Sequence, residues 1–224
     1  MKSVLYITAN PKREEESNSL RVGRHLIETI QALHEDSKIE EIHVYQQTVP
    51  LIDGTFLKAR DQLASGKDFH ELLPDEQDIV RKVHRQTDQF IAADVYVFAY
   101  PLWNFGVPPM LKAYVDTIKI ARKTFRYTPD GPIGLLSGKT AILIQSSGDV
   151  YSHGPLHEYE HGSCYLKSVL SFIGIDKIET VYMEGMDKDV EQRDIKRRQA
   201  FEQVDRIANN LSFQLYPCGA DTAE

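Results

Sequence analysis

The 224-residue sequence has few cysteines, a deficit of positive charge and no long apolar segment. Its two cysteines, Cys164 and Cys218, are far apart and form no CxxC pair, so neither a disulfide framework nor a thiolate metal site is expected. No apolar segment approaches the roughly 20 residues that span a bilayer, and Met1-Lys2 leads directly into a strand pattern instead of a signal-peptide core. The formal net charge of -7 argues against a nucleic-acid backbone or an anionic membrane as the main partner. We therefore expect a cytoplasmic protein that binds neither nucleic acid nor membrane.

The composition favours one globular domain over residues 1–224. Hydrophobic residues make up 42% of the chain, which at this length is enough for a full core, and no Gly/Ser/Pro-rich linker divides the sequence. The sequence also contains no internal repeat, which excludes the solenoid classes.

Short β-rich segments alternate with helical periodicities along the chain. The strands are predicted at residues 4–8, 39–44, 93–99, 140–144 and 178–183. The helices are predicted at residues 20–33, from a cap at Asp75 to residue 91, from Pro108 to residue 118, at residues 165–173, and from about Asp189 to Leu215. Residues 45–74 predict an irregular excursion with short helices near residues 55–64, and residues 123–132 predict a loop.

This alternation predicts an α/β fold with a parallel sheet. Five short apolar strands joined by helices require right-handed crossovers, which place helices on both faces of the sheet. Ligand-type residues follow the third strand, which favours the flavodoxin-like strand order 2-1-3-4-5 and a three-layer sandwich. In that order the loops after strands 1, 3 and 4 share one edge of the sheet.

The first of these loops offers polar groups at a helix N-terminus. Asn10 and the run Ser17-Asn18-Ser19 could bind a phosphate group through side chains and backbone amides. No GxxxxGK[ST] motif occurs, so the site is not a Walker loop, and the residues could instead serve only as helix caps. The neighbouring Glu14-Glu15-Glu16 would repel a phosphate unless these side chains point into solvent.

The second and third loops offer aromatic rings and small residues. In the second loop, residues 100–109, Trp103 and Phe105 could present their faces to a ligand or could simply cap the core. Asn104 between them can both donate and accept hydrogen bonds. The third loop follows a strand with Ser146, Ser147, Gly148 and Asp149, where backbone amides can approach a ligand closely. The three loops together suit a flat, phosphorylated ring system such as FMN.

Several sequence blocks resemble a known enzyme family. They are Leu102-Trp103-Asn104-Phe105, Pro109-Met110-Leu111-Lys112-Ala113-Tyr114-Val115-Asp116, Thr124-Phe125-Arg126-Tyr127-Thr128 with Gly131-Pro132 and Gly134-Leu135, and Phe172-Ile173-Gly174-Ile175. In this order and spacing, which cover almost the whole chain, they closely resemble the FMN-dependent NADH-azoreductases, also described as NADH:quinone reductases.

The resemblance implies a homodimer with one FMN in each subunit near the dimer interface. By position, Asn10, Ser17, Asn18 and Ser19 would hold the phosphate, Leu102, Trp103, Asn104 and Phe105 the isoalloxazine ring, and Ser146, Ser147, Gly148 and Asp149 its pyrimidine end. Two residues depart from the family pattern: Asp149 stands where a second Gly is usual, and Leu102 where Met is frequent. A carboxylate at position 149 would oppose the anionic reduced flavin unless its side chain turns outward.

The resemblance also implies a reaction. NADH or NADPH would reduce FMN, and quinones or aromatic azo compounds would then take hydride from flavin N5 in a ping-pong cycle. Asn104 and Tyr127 are the candidate catalytic residues, and Phe125, Tyr127 and Tyr151 the candidate substrate-binding residues.

Two other functions remain open from the sequence. His157-Glu158-Tyr159-Glu160-His161 matches the HExxH motif of zinc hydrolases, although Gly154-Pro155 and Gly162-Ser163 would interrupt the helix that this motif requires. The chain could also be a non-catalytic FMN-binding electron carrier. Such carriers do not need the block from residues 124–136, which is typical of a subunit interface.

Overall fold

The computed structural model describes residues 3–188 and 191–211. In this part of the chain, strands and helices follow one another as β1 (Ser3–Thr8), α1 (Asn18–Leu33), β2 (Lys38–His43), α2 (Gly54–Ala64), α3 (Pro74–Ala92), β3 (Val95–Pro101), α4 (Pro109–Ile118), β4 (Phe125–Thr128), β5 (Gly131–Gly134), β6 (Thr140–Ser146), α5 (Gly162–Phe172), β7 (Lys177–Met183) and α6 (Arg193–Asn210). Short 3-10 helices lie at Glu14–Glu16, Phe69–Glu71 and Gly154–Tyr159.

Five strands form one parallel sheet in the order β2-β1-β3-β6-β7. Counted along the chain without the β4–β5 hairpin, this is the predicted order 2-1-3-4-5. The central strand β3 is buried along its whole length, as its apolar sequence predicts. Because Pro101 at the end of β3 pairs with Ser146 at the end of β6, the loops that follow these strands start side by side.

Alternate residues of each strand enter two separate hydrophobic clusters, one on each face of the sheet. Leu5 and Ile7 of β1 pack with residues of α3, α4 and α5, among them Phe90, Leu111 and Leu166. Val4 and Tyr6 pack instead with residues of α1 and α6, among them Leu26 and Val204. Helices therefore cover both faces. None of the helices in the described ranges is both long and apolar enough to cross a bilayer.

The segment predicted as a loop at residues 123–132 contains an antiparallel hairpin instead. Phe125 of β4 pairs with Gly134 of β5, and Thr128 pairs with Gly131. The alternation of apolar and polar residues is too short to be recognised in strands of four residues. The hairpin is fixed by a close backbone approach, because a Cβ atom on Gly134 would lie 2.2 Å from the backbone nitrogen of Gly174.

Several helix boundaries also differ from those predicted. Asp75 is not the N-cap of α3: Pro74 occupies the first turn, and Glu76 accepts a hydrogen bond from the Leu73 amide (3.0 Å). Helix α5 begins at Gly162 and not at the predicted residue 165. Helix α6 begins at Arg193, whereas the predicted limits Asp189 and Leu215 lie outside the described residues, as does Cys218. The predicted helix in the excursion is confirmed as α2.

Candidate functional site

A pocket of about 230 Å³ opens at the edge where the parallel strands end. It is lined by residues of the three predicted loops: Asn10, Lys12, Glu16, Ser17 and Asn18 from the first, Pro101, Leu102 and Trp103 from the second, and Ser146, Ser147 and Gly148 from the third. Met186 and Asp187, which follow β7, complete the lining as a fourth loop that the sequence prediction missed. Larger clefts of about 450 Å³ lie elsewhere, and each is lined by several charged side chains.

The first loop leads into the N-terminus of α1. Ser17 is its N-cap, whose Oγ accepts a hydrogen bond from the Leu20 amide (3.4 Å) and another from Asn10 Nδ2 (3.0 Å). Ser17 thus caps the helix and lines the pocket at once. Ser19 is fully buried, with its Oγ 3.3 Å from Ser17 Oγ, and lies outside the lining. The free amides of a 16-residue helix give this end of the pocket a positive potential.

The acidic run in the first loop is partly neutralised by arginines. Glu14 accepts a hydrogen bond from Arg24 Nε (2.8 Å). The same guanidinium donates hydrogen bonds to both carboxylate oxygens of Glu41 on β2 (2.7 and 2.8 Å). These hydrogen bonds from Arg24 hold the pKa of Glu41 below its ordinary value. Glu16 reaches the pocket lining and pairs with Arg13 (3.0 Å). The predicted repulsion therefore comes mainly from Glu16.

The second loop contains a tight turn from Trp103 to Gly106. The two residues exchange backbone hydrogen bonds, both 3.0 Å long, and the intervening Asn104 and Phe105 have positive φ angles of 46° and 68°. Asn adopts this left-handed conformation readily, but for a bulky residue such as Phe it is strained. The turn directs both rings outward, since Trp103 is 37% and Phe105 44% exposed. Neither ring belongs to the two hydrophobic clusters of the core, which favours the alternative that they face a ligand.

Other aromatic side chains lie next to the two rings of the turn. Tyr45 lies edge-on to Trp103, with ring centroids 6.2 Å apart. The ring centroid of Phe105 lies 5.1 Å from that of Tyr159 and 6.1 Å from that of Tyr151. The structure thus brings Tyr151 next to the second loop, and it adds Tyr45 and Tyr159, which the sequence did not single out.

The third and fourth loops are joined by backbone hydrogen bonds beyond the ends of β6 and β7. The Ser147 amide donates to the Met183 carbonyl (2.9 Å), and the amides of Gly185, Met186 and Asp187 donate to the carbonyls of Asp149, Ser147 and Gly148 (3.1, 3.1 and 3.0 Å). These bonds fix the turn at Ser147 and Gly148, both of which line the pocket. The strand order could have indicated the fourth loop, because β7 is the neighbour of β6.

Asp149 does not line the pocket. Its carboxylate pairs with Lys188 Nζ (2.7 Å) and accepts a hydrogen bond from the Val150 amide (2.8 Å). The hydrogen bond from Lys188, above all, lowers the pKa of Asp149. Asp187 brings a carboxylate to the lining instead, so close to Gly148 that a Cβ atom there would collide with Asp187 Oδ2. The negative charge anticipated at position 149 is thus present at position 187.

Two predicted substrate-binding residues lie on the hairpin, away from the pocket lining. Tyr127 on β4 is 73% exposed, whereas Phe125 is buried with its ring 4.9 Å from that of Phe172. Their roles in substrate binding stay predictions.

The segment that matches HExxH lacks the continuous helix of a zinc site. His157 lies in the 3-10 helix Gly154–Tyr159, and His161 precedes α5. Between them, Glu160 is buried and accepts hydrogen bonds from the Ser163 amide (2.8 Å), Ser163 Oγ (2.7 Å) and Gln145 Nε2 (3.0 Å). Burial raises the pKa of Glu160, but these hydrogen bonds outweigh it and the pKa is lowered. In the described part of the chain, no three His, Cys, Asp or Glu side chains form a possible metal site.

Comparisons with known proteins agree with this geometry. A family model described as "Flavodoxin-like fold" matches residues 2–207. The FMN-dependent NADH:quinone oxidoreductase 2 of Listeria innocua serovar 6a is 46% identical over 187 residues, which cover 84% of this chain and 89% of that protein. The FMN-dependent NADH:quinone oxidoreductase of Geobacillus kaustophilus is 43% identical over 185 residues, 83% of this chain and 88% of that protein.

Solved structures show the same likeness. The crystal structure of an FMN-dependent NADH-azoreductase from Bacillus anthracis str. Ames Ancestor in complex with FMN superimposes with a TM-score of 0.87 at 34% identity, covering 94% of this chain and 99% of that one. An azoreductase from Bacillus anthracis str. Sterne has the same TM-score of 0.87 at 30% identity, covering 93% of this chain and 99% of that one.

Proposed function

The chain belongs to the flavodoxin-like family of FMN-dependent NADH:quinone oxidoreductases and azoreductases, and from this we propose that it is an FMN-dependent enzyme that oxidises NADH and reduces quinones and aromatic azo compounds. The observation that carries the proposal is the convergence of a helix N-terminus, an amide-rich turn and an exposed aromatic turn at one pocket. A phosphorylated aromatic ligand needs these three features together.

The residues present fit FMN. Asn10, Ser17 and Asn18 would hold the phosphate with neutral donors at the N-terminus of α1, where the charge of Lys12 offsets that of Glu16 in the same lining. The Ser147 amide is used in its bond to the Met183 carbonyl, which fixes the turn so that Gly148 in the pocket lining would face the pyrimidine end of the ring. The pocket is smaller than the roughly 300–1,000 Å³ of most small-molecule sites, so the flavin ring would extend from it along Leu102 and the Trp103–Gly106 turn.

Bound FMN supplies hydride chemistry through its N5 atom, and the protein orients the reactants. The exposed rings of Trp103 and Phe105, with the partly buried Tyr151 beside Phe105, provide an aromatic surface that nicotinamide and the acceptor would occupy in turn. Shared use of one surface gives ping-pong kinetics. Stacking on ring faces tolerates many substituents, which favours a broad range of acceptors. The exposed Asn104 amide would hydrogen-bond the flavin ring.

The hairpin supports the proposal of a homodimer. Tyr127, Ile133 and Leu135 are large apolar side chains exposed on or beside β4 and β5. A second subunit would cover them, and Tyr127 would then act in the site of the partner subunit and not in that of its own chain.

Spectroscopy of the purified protein tests the function directly. We expect a yellow protein with flavin absorption, bleached by NADH without oxygen and recoloured by menadione or an azo dye. Parallel lines in double-reciprocal plots would support the ping-pong cycle, and comparison of NADH with NADPH would establish the donor. A colourless protein that takes up no FMN would contradict the proposal. A yellow protein without NADH or NADPH turnover would identify an electron carrier.

A further inference from the structure

Three aromatic side chains meet where the second loop faces the third. The ring of Phe105 lies 5.1 Å from that of Tyr159, with 34° between the ring planes, and 6.1 Å from that of Tyr151. We propose that Tyr159 is a specificity-determining residue of the acceptor site, which favours acceptors with two aromatic rings over single-ring quinones. The assignment rests on the reductase activity proposed above.

The backbone of Phe105 indicates that its exposed ring is held for a ligand. A φ angle of 68° lies in the left-handed region and is strained for a bulky side chain. Burial of the ring does not compensate this strain, because the side chain stays 44% exposed. The conformation is instead fixed by the backbone bonds of the turn and by the His161 amide, which donates to the Phe105 carbonyl (3.0 Å). Strained, exposed residues of this kind cluster at ligand-binding sites.

The segment that fixes the Phe105 backbone also places a second ring against its side chain. Tyr159 lies two residues before His161, at the end of the 3-10 helix Gly154–Tyr159. This short helix has no buried residue, and Tyr159 itself is 40% exposed, so its ring does not serve a hydrophobic core. The Tyr159 ring instead extends the aromatic surface that the exposed Phe105 ring provides.

The three positions define an inner and an outer part of the aromatic surface. Trp103 lines the pocket, Phe105 follows on the same turn, and Tyr159 lies beyond Phe105. An acceptor with one ring, placed at the pocket, is covered by the inner part. A second ring joined through an azo group extends outward to Tyr159, where ring–ring contact stabilises it by roughly 0.5–1.5 kcal/mol, equivalent to a 2- to 12-fold effect.

Steady-state kinetics of Tyr159 variants test this assignment. The measured quantity is kcat/KM for methyl red, an acceptor with two rings, divided by kcat/KM for 1,4-benzoquinone. Intrinsic reactivity of the acceptors cancels when the ratio of each variant is compared with that of the wild type. We expect Tyr159→Ala to lower the ratio roughly 2- to 12-fold. Tyr159→Phe, which keeps the ring, should restore the wild-type ratio.

A second variant separates loss of the ring from loss of volume. Tyr159→Leu keeps an apolar side chain of similar bulk, so it decides the question if the alanine variant does not fold. A selective loss with methyl red in Tyr159→Leu supports the assignment. An unchanged ratio, or equal losses with both acceptors, would overturn it while leaving the reductase function intact. A wild-type protein without FMN binding or NADH oxidation would overturn both.

Discussion

The Trp103–Gly106 turn allows the backbone and the side chain of Asn104 to be tested separately. Asn104 has a φ of 46°, which Asn and Gly adopt without penalty but which costs alanine roughly 1–2 kcal/mol. We therefore expect Asn104→Ala to lower the melting temperature by about 2–4 °C per kcal/mol in a protein of this size. Asn104→Gly should leave the melting temperature nearly unchanged, because glycine retains the turn.

Both variants remove the side-chain amide that is proposed to hydrogen-bond the flavin ring. One neutral hydrogen bond contributes about 0.5–1.5 kcal/mol, so both should raise the FMN dissociation constant about 2- to 12-fold. Fluorescence titration of the apoprotein with FMN measures this constant, and differential scanning calorimetry measures the melting temperature. Wild-type affinity and wild-type rates of flavin reduction in Asn104→Gly would remove the side chain from the site. Equal thermal losses in the two variants would refute the assigned turn conformation.

Three further predictions address the surroundings of the site. Arg24→Met removes the guanidinium that pairs with Glu14 and Glu41 beside the first loop. The FMN affinity should therefore fall roughly two- to fivefold at low ionic strength and less at 0.5 M salt, whereas Ile195→Ala on the exposed face of α6 should change nothing. Equal effects at both salt concentrations would be inconsistent with a charge effect. Since the folded protein lowers the pKa of Glu160, its carboxylate stabilises the fold above the ordinary glutamate pKa of about 4.3, and this contribution is lost as the pH falls through the lower folded-state pKa. Urea unfolding should therefore show Glu160→Gln to be less stable than wild type at pH 7 and the difference to shrink towards pH 3; a constant difference would contradict this sign. Gly134→Ala places a Cβ atom against the backbone of Gly174 and should destabilise the protein by roughly 1–3 kcal/mol in thermal unfolding. Gly54→Ala should be neutral or slightly stabilising, because a Cβ atom there meets nothing within 4 Å. Similar behaviour of the two variants would argue against the close approach of Gly134 and Gly174.

The sheet could be predicted because its three inner strands, β1, β3 and β6, are buried on both faces. A strand such as β3 then consists of apolar residues throughout, and the alternation with helices leaves few possible strand orders. The β4–β5 hairpin could not be predicted in this way. Its strands have four residues each, and its position depends on the contact between Gly134 and Gly174, which are distant in sequence.

The candidate site could be predicted at the level of loops but not of side-chain directions. Three loops were placed correctly because parallel strands end at one edge, and the pocket lining contains residues of each. The direction of the Asp149 carboxylate depends on Lys188 in the fourth loop, which no local pattern reveals. The exposure of Trp103 and Phe105 likewise depends on positive φ angles, which are unusual for residues other than glycine.

The backbone bonds between the third and fourth loops have a consequence for motion. The Ser147 amide donates to the Met183 carbonyl, and the Ser147 carbonyl accepts a hydrogen bond from the Met186 amide. The amides of Gly185 and Asp187 in the fourth loop are also bonded to the third loop. Segments connected in this way open only together, so their amides should exchange with deuterium slowly and at one common rate, even without a ligand. This side of the pocket is then a fixed wall.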